Sequence, residues 1–267
     1  DGGPASQAYI SHPEGVALDG LGNLYLADTE NNRVRKVDGN GVITTVAGNG
    51  GRGSGGDGGL ATQAQLNGPS GVTRDRFGNL YIADTWNHRV RKVDGRGVIS
   101  TVAGSGDRGF GGDGGPAVQA QLYAPLGLAV DGSGNLYIAD SGNGRVRKVD
   151  QNGVITTLAG NGEEGYNGDW MPALEAGLAY PTHVSLDAQG NLLIADCGNS
   201  RVRKVDGNGV ISTLAGNGEY GYGGDSGPAL EAKLSCPYAV VEDSWGDLYI
   251  ADRSNHRIRK VWVAKAG

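Results

Sequence analysis

Apolar and polar positions follow a pattern that repeats along the whole chain. The segment Asn79-Leu-Tyr-Ile-Ala-Asp84, followed by a short polar turn and Arg-Val-Arg-Lys-Val, occurs five times with a spacing of 56 residues. Its four central residues are apolar at successive positions, which is typical of a strand covered on both faces. A fixed period of this length indicates repeated supersecondary units that bury one another's apolar faces.

Four strands are predicted in each unit. In the second unit they lie at 69–73, 79–84, 89–93 and 98–103, separated by turn sequences rich in Asp and Gly. Asp57 precedes an Ala- and Leu-containing segment, 57–66, and we expect it to cap one or two helical turns there. Repeated four-stranded antiparallel units predict an all-β fold, a β-propeller of five four-stranded blades. A solenoid, the alternative, would need polar terminal caps, and neither end has one.

The last copy of the repeat is shorter than the others. We expect one domain over residues 1–267, with blades at 1–56, 57–112, 113–168, 169–224 and 225–267. After Val261 the usual fourth strand is missing, so the last blade is expected to have a stunted outer strand or one formed by 262–266. The sequence leaves closure of the ring open, and an exposed edge in this blade would favour association with another chain.

Composition and charge disfavour some classes of function but do not identify one. The net charge is −6, and most of the 23 Lys and Arg belong to the repeated Arg-Val-Arg-Lys, so no basic face for nucleic acid is expected. No stretch approaches the roughly 20 apolar residues of a membrane span, so no transmembrane segment is expected. No signal peptide is present, but a chain that begins at Asp1 is compatible with a processed one. We expect an extracellular or periplasmic location.

The repeated motifs resemble those of the NHL-repeat family over essentially the whole chain. They are Gly-Val-Ala-x-Asp and Gly-Asn-Leu-Tyr-x-Ala-Asp-x-x-Asn-x-Arg-Val, and the longer unit is similar to the bacterial and teneurin-like variant. The resemblance implies a β-propeller, usually of six blades where this chain supplies five. The family includes protein- and RNA-binding modules and zinc-dependent amidating lyases, in which histidines from different blades hold zinc and Arg and Tyr carry the chemistry. The fold alone does not choose among these functions.

One polar set recurs in every copy. Asp28, Asn31 and Arg33 have the equivalents Asp84, Asn87 and Arg89 in the second unit, and the series continues to the fifth. Because five identical sets cannot lie in one active site, we interpret them as structural. The expected role is a buried Asp–Arg pair at each turn between the second and third strands.

Functional residues are expected where the copies differ. The segment that enters each first strand and the turn after each second strand should lie on one face, around the mouth of the channel. There the residue types with reactive side chains fall in blades four, five and one, which are consecutive if the ring closes. We therefore predict one ligand-binding pocket on the side of the ring formed by blades four, five and one. Its residues are His12, Glu14, Tyr180, His183, Cys197, Cys236, Tyr238 and Arg253.

Each of these candidates also has a structural interpretation. The histidines fit surface imidazoles, the cysteines fit small buried residues or a disulfide between adjacent blades, and the tyrosines fit a channel plug. No cofactor is certain. Zinc or another divalent metal is an alternative, with His12, His183 and Cys236 as donors, although their spacing is not a known local zinc motif.

Two functions remain open. The favoured one is a binding or protein-interaction module that holds a protein or small-molecule ligand at the channel mouth. The alternative is a metal-dependent lyase or hydrolase at the same place, for which His12, His183, Tyr238 and Arg253 are comparable in type to the residues of the amidating lyases. Aromatic residues on the long loops are further candidates for a partner surface. They are Phe110, Tyr166, Trp170, Tyr220 and Tyr222.

Overall fold

The computed structural model describes residues 1–262, and these form an all-β protein with five small antiparallel sheets. Each sheet is one blade of a β-propeller, as the sequence predicts. Two blades carry an additional two-residue strand at the outer edge, Gly3–Pro4 beside Val42–Ala47 and Met171–Pro172 beside Val210–Ala215.

Apart from the additional two-residue strands, the strands of each blade follow the chain from the inner to the outer position. Blade one contains Gly3–Pro4 (β1), Pro13–Leu18 (β2), Leu24–Asp28 (β3), Arg33–Val37 (β4) and Val42–Ala47 (β5). Blade two contains Pro69–Arg74 (β6), Leu80–Asp84 (β7), Arg89–Val93 (β8) and Ile99–Ala103 (β9). Blade three contains Pro125–Val130 (β10), Leu136–Asp140 (β11), Arg145–Val149 (β12) and Ile155–Ala159 (β13). Blade four contains Met171–Pro172 (β14), Pro181–Leu186 (β15), Leu192–Asp196 (β16), Arg201–Val205 (β17) and Val210–Ala215 (β18). Blade five contains Pro237–Glu242 (β19), Leu248–Asp252 (β20) and Arg257–Val261 (β21).

The helical elements of residues 1–262 are single 3-10 turns of three residues. They lie between the second and third strands of each blade or in the segment that leads from one blade to the next. Their bounds are Ala5–Gln7, Thr29–Asn31, Ala61–Gln63, Thr85–Asn87, Ala117–Gln119, Ser141–Asn143, Cys197–Asn199, Ala229–Glu231 and Arg253–Asn255. Over the same residues no helix is long and apolar enough to cross a membrane.

The chain divides into two compact units. The first comprises Asp1–Leu136 with Val149–Thr156, and the second comprises Tyr137–Lys148 with the chain from Thr157 onward. In the first unit, the second strands are buried on both faces, as their apolar sequence predicts, and Ile82 and Ala83 are wholly inaccessible to solvent. Ile82 packs with Val34, Ala47 and Ile99 in one continuous apolar core. The second unit has an equivalent core around Leu193, Val202, Val240 and Ile250.

The segment 57–66 differs from its prediction. Its helical part is the single 3-10 turn Ala61–Gln63, and no side chain caps that turn. Residues 57 and 58 instead form a turn and Leu60 forms an isolated bridge with Val98 beside β9, where Gly58 N–H donates to Ile99 O at 2.8 Å. This brings the Asp57 carboxylate to Arg91 at 2.6 Å and to the Thr101 hydroxyl at 2.7 Å, so Asp57 fixes the outer strand and not a helix.

The repeated ion pair has a different basic partner from the predicted one. Asp84 binds Arg91, two residues beyond Arg89, and neither side chain reaches solvent. Arg89 donates to the backbone oxygen of Ser105. The reason is the antiparallel register. Arg89 lies opposite Asp84 on the adjacent strand, and its guanidinium reaches Ser105 O, whereas Arg91 lies opposite Ile82 and its Nη1 reaches the carboxylate.

The last blade has three strands among the described residues, in the order β19–β20–β21. The predicted fourth strand at 262–266 lies outside the described residues except for Trp262, which is exposed and belongs to no strand.

Candidate functional site

The residue before the proline of each first strand has an unusual backbone in all five blades. His12, Gly68, Ala124, Tyr180 and Cys236 all have φ between 46° and 57°. Glycine adopts this left-handed conformation at little cost, whereas other residues destabilise the fold by about 1 kcal/mol or more. A residue other than glycine at this position therefore requires a compensating contact, and the contacts differ from blade to blade.

In blade one the reason is an acid–base contact. His12 Nδ1 lies 3.0 Å from Glu30 Oε2, and the Ser11 hydroxyl donates to the same carboxylate at 2.8 Å. The hydrogen bond from Ser11 lowers the pKa of Glu30, and the nearby His12 adds to the effect. Glu30 is therefore a fixed anion on the turn after β3.

This carboxylate borders an open cavity of about 430 Å³ at the seam between blades one and two. Its lining combines an acid, a base, amides and one aromatic ring: Thr29, Glu30, Asn32, Arg52, Asn67, Gly68 and Trp86. Trp86 is 59% exposed, and the Thr29 hydroxyl is buried without a hydrogen-bond partner. The cavity thus offers an accessible indole beside opposite charges.

Trp86 also explains the residue before proline in blade two. The indole lies so close to Gly68 that a Cβ at that position would be 2.2 Å from Trp86 Cδ1. Gly68 N–H donates to Asn32 Oδ1 at 3.0 Å, which holds the backbone in place. The glycine that looks featureless in the sequence is therefore what allows the indole to lie in the cavity.

A second feature of this region is a set of links between successive blades. The Thr85 hydroxyl donates to Pro125 O at 2.8 Å, and Ser141 makes the equivalent bond to Pro181 O. The next residue in this series is Cys197, which forms a disulfide with Cys236, directly before Pro237. The hydrogen bond between blades is thus replaced by a covalent bond between blades four and five. Of the sequence alternatives for the cysteines, the disulfide is correct.

Within the second unit, the structure also brings together Tyr238 and Arg253, whose guanidinium carbon lies 4.5 Å from the ring centroid. Tyr180 is about half exposed. His183 lies on β15 and is hydrogen-bonded to the backbone of Val240 on β19. Its Nδ1 is buried without a hydrogen-bond partner. Burial lowers the pKa of His183 to about 4, so its imidazole is neutral near pH 7.

The donor set proposed for a metal does not fit one. Cys236 Sγ is bonded to Cys197, and His12 contacts Glu30. Across residues 1–262, no three His, Cys, Asp or Glu side chains lie close enough together to hold a metal ion. The prediction of Cys236 as a metal ligand is wrong. The convergence of His12 and Glu14 with Tyr180, His183, Tyr238 and Arg253 in one pocket stays a prediction.

Sequence comparison missed the residues that define the cavity. Arg52, Thr29 and Trp86 are absent from the predicted set. The available signal was Trp86 itself, a large apolar residue in a polar turn where the other copies have Glu30, Gly142, Gly198 and Ser254.

Family models match most of the chain. The teneurin NHL domain model matches residues 1–55, 50–111 and 105–166, and the NHL repeat model matches 178–205. Mouse (Mus musculus) teneurin-4 is 32% identical over 93% of this chain. The NHL repeat-containing protein 2 of cattle (Bos taurus) is 31% identical, also over 93%. The chain spans 10% of the length of that teneurin and 38% of the bovine protein.

Solved structures agree on the fold. An auxiliary nutrient binding protein from Bacteroides ovatus superposes with a TM-score of 0.67 at 15% identity, over 95% of this chain and 60% of the other. A streptogramin B lyase superposes with a TM-score of 0.61 at 11% identity, over 97% and 72%. At these identities the structural similarity establishes the propeller fold, and any binding or catalytic role must be argued from the residues of this chain.

Proposed function

Because the chain belongs to the teneurin NHL domain family of β-propellers, we propose that it is a protein-interaction module. Its partner is a polypeptide segment that binds in the cavity between the turns of blades one and two. The observation that carries this proposal is the exposed indole of Trp86 beside the fixed carboxylate of Glu30 and the guanidinium of Arg52.

The composition of this cavity supports a protein partner. Trp and Arg are enriched at the centres of protein interfaces, where an aromatic ring supplies contact area at little cost in side-chain entropy. Glu30 and Arg52 add opposite charges on the rim, which orient a partner more than they add affinity.

The Cys197–Cys236 disulfide supports a location outside the cytoplasm, extracellular or periplasmic, since disulfides persist in oxidising compartments. Alkylation of the protein isolated from its source, before and after reduction, tests this. Two thiols that react only after reduction support the location, and thiols that react at once oppose it.

The binding proposal is tested with a phage-displayed library of random peptides panned on the folded chain. Selected peptides are titrated calorimetrically against the unmodified chain and against Trp86→Ala, Glu30→Gln and Trp245→Ala. Trp245 is a matched control because it is also exposed, at 67%, but lies in the turn between β19 and β20. We expect Trp86→Ala to weaken binding at least tenfold and Trp245→Ala to leave it unchanged. Peptides that bind Trp86→Ala as well as the unmodified chain would oppose the proposal.

A further inference from the structure

Two neighbouring seams of the first compact unit are built alike. The first seam lies between blades one and two and the second between blades two and three, and equivalent positions are 56 residues apart. At the first seam, Asn32 Oδ1 accepts a hydrogen bond from Gly68 N–H at 3.0 Å. At the second, His88 Nδ1 accepts one from Ala124 N–H at 3.2 Å. Because the backbones match, side chains at equivalent positions of the two seams can be compared directly.

At the second seam a tyrosine lies between a loop and a turn. The rings of Tyr123 and His88 form a T-shaped pair with their centroids 5.7 Å apart. From the other side, the guanidinium carbon of Arg108 lies 5.0 Å from the centroid of the Tyr123 ring. A guanidinium in this position is attracted by the negative face of the ring. Tyr123 is therefore held by one residue of the long loop and one residue of the turn.

The first seam keeps the arginine but has no tyrosine at the equivalent position. Arg52 corresponds to Arg108, and Asn67 stands where the second seam has Tyr123. Arg52, Asn67 and Asn32 all line the open cavity of about 430 Å³. The cavity is thus bordered by the equivalents of Tyr123 and of the two residues that hold it. At the first seam this space is open to a side chain from another polypeptide.

The charges around the cavity favour a neutral side chain. Glu30 and Arg52 both border it, so a partner's cation is repelled by Arg52 and a partner's anion by Glu30. An aromatic ring carries no net charge, but its face is negative and its edge is positive. Arg52 attracts the face of such a ring, and Glu30 attracts its edge or a phenolic hydroxyl. The indole of Trp86, 59% exposed, supplies a second aromatic surface in the same cavity.

We propose that the cavity at Trp86 binds one aromatic side chain, tyrosine or phenylalanine, of the partner polypeptide. The ring lies between Arg52 and Trp86, at the place that corresponds to that of Tyr123 in the second seam. Asn67 is the residue that determines this specificity, because it leaves open the space that a tyrosine at its position would fill. The inference rests on the proposed function and names the residue type that the partner inserts.

The first probe is N-acetyltyrosine amide, which carries the aromatic side chain without a net charge. Its binding is followed by the indole N–H signal of Trp86 in heteronuclear NMR spectra, assigned by its loss in Trp86→Phe. We expect saturable shifts with the tyrosine and phenylalanine amides, and none with the leucine and lysine amides at the same concentrations. Arg52→Met should weaken binding of the tyrosine amide by about two- to fivefold. Arg96→Met, which changes an exposed arginine in the turn between β8 and β9, is the matched control and should have no effect.

A second variant fills the cavity from within the chain. Asn67→Tyr keeps the backbone N–H that donates to Asp84 Oδ1 at 2.7 Å, and its ring should stack on Arg52 as Tyr123 stacks on Arg108. We expect this variant to unfold cooperatively in urea, like the unmodified chain, and to have lost the binding of the tyrosine amide. Asn67→Ala leaves the space open and should still bind it.

The peptides selected by panning separate this inference from the proposed function. Each peptide that depends on Trp86 should contain an aromatic residue whose replacement by leucine weakens binding by about tenfold. Peptides that need Trp86 but bind equally well with leucine would overturn the aromatic site and leave the interaction module in place. If no selected peptide needs Trp86, the proposed function fails and the tyrosine amide decides alone. Saturable binding that Asn67→Tyr abolishes then supports the aromatic site, whereas no binding, or binding that neither Asn67→Tyr nor Arg52→Met changes, overturns it.

Discussion

Arg91 and Asp84 form an ion pair with both side chains completely buried, Nη1 lying 3.3 Å from Oδ2. Asp84 also accepts from Asn67 N–H and from the Asn87 side chain, and the far end of Arg91 binds Asp57. The pair therefore joins three segments of blade two, and pairs of the same type recur as Arg147–Asp140 and Arg203–Asp196.

Because of this contact, we expect substitution of Arg91 and of Arg89 to lower the free energy of unfolding by different amounts. Arg91→Met leaves a buried carboxylate without its cation and should reduce the free energy of unfolding by about 3–5 kcal/mol. Arg89→Met removes a hydrogen bond to one backbone oxygen and should cost about 1 kcal/mol. Urea unfolding of the two variants measures the difference. Equal losses, or a larger loss at Arg89, would mean that the buried pair is misassigned.

The disulfide predicts a graded loss of stability. Cys197 and Cys236 are 39 residues apart, and loss of a bridge over a loop of this size typically costs about 2–4 kcal/mol. Cys197→Ala with Cys236→Ala should show the whole loss. Cys197→Ser with Cys236→Ala should recover about 1 kcal/mol, because the introduced hydroxyl stands where Ser141 donates to Pro181 O in the preceding seam. Equal stability of the two double variants would contradict the proposed equivalence of the seams.

His183 predicts a pH dependence in the acid range. Its pKa is about 4 in the folded chain, against an ordinary value of 6.5. Between these values the unfolded chain binds a proton that the folded chain does not, so stability falls as the pH drops from 6.5 towards 4. The contribution is about 3 kcal/mol at most, since one unit of pKa corresponds to about 1.4 kcal/mol.

The check is urea unfolding between pH 4 and pH 7. His183→Gln should flatten the pH dependence relative to the unmodified chain, whereas His256→Gln, which changes an exposed imidazole, should leave it as it is. An unchanged slope in His183→Gln would show that other groups cause the acid sensitivity.

Because Gly68 contacts Trp86, we expect a side chain at position 68 to displace the indole from the cavity. Gly68→Ala places a methyl group 2.2 Å from Trp86 Cδ1 at a φ of +57°, so the indole must move and stability should fall by about 1–2 kcal/mol. The difference in tryptophan emission between Gly68→Ala and the unmodified chain should vanish when both carry Trp86→Phe. Gly20→Ala is the control, because a Cβ there meets nothing within 4 Å. Emission that is identical in Gly68→Ala and the unmodified chain would contradict the close contact.

The strands and their order were predictable because each depends on the sequence within its own repeat. Apolar runs, turn residues and the 56-residue period place β6 to β9 within one residue of their observed bounds. The helical turns at 57–66 were overestimated, since propensity favours a helix where hydrogen bonds to β9 hold Gly58 and Gly59 in a turn. The pocket on blades four, five and one stays a prediction. The cavity at Trp86 lies on turns after second strands of blades one and two, and local sequence does not reveal that Gly68 makes room for Trp86.

The sequence by itself determined the repeat, the class of fold, the apolar strands and the aspartate that each blade buries. These follow from periodicity and side-chain polarity, which act over a few residues. Tertiary structure alone decided that Asp84 binds Arg91 and not Arg89, and that Cys197 bonds Cys236 where Thr85 and Ser141 make hydrogen bonds. It also decided which turns form the cavity at Trp86. Each of these depends on how side chains from distant positions project across a strand register or a seam between blades, and that geometry exists only after the sheets have formed.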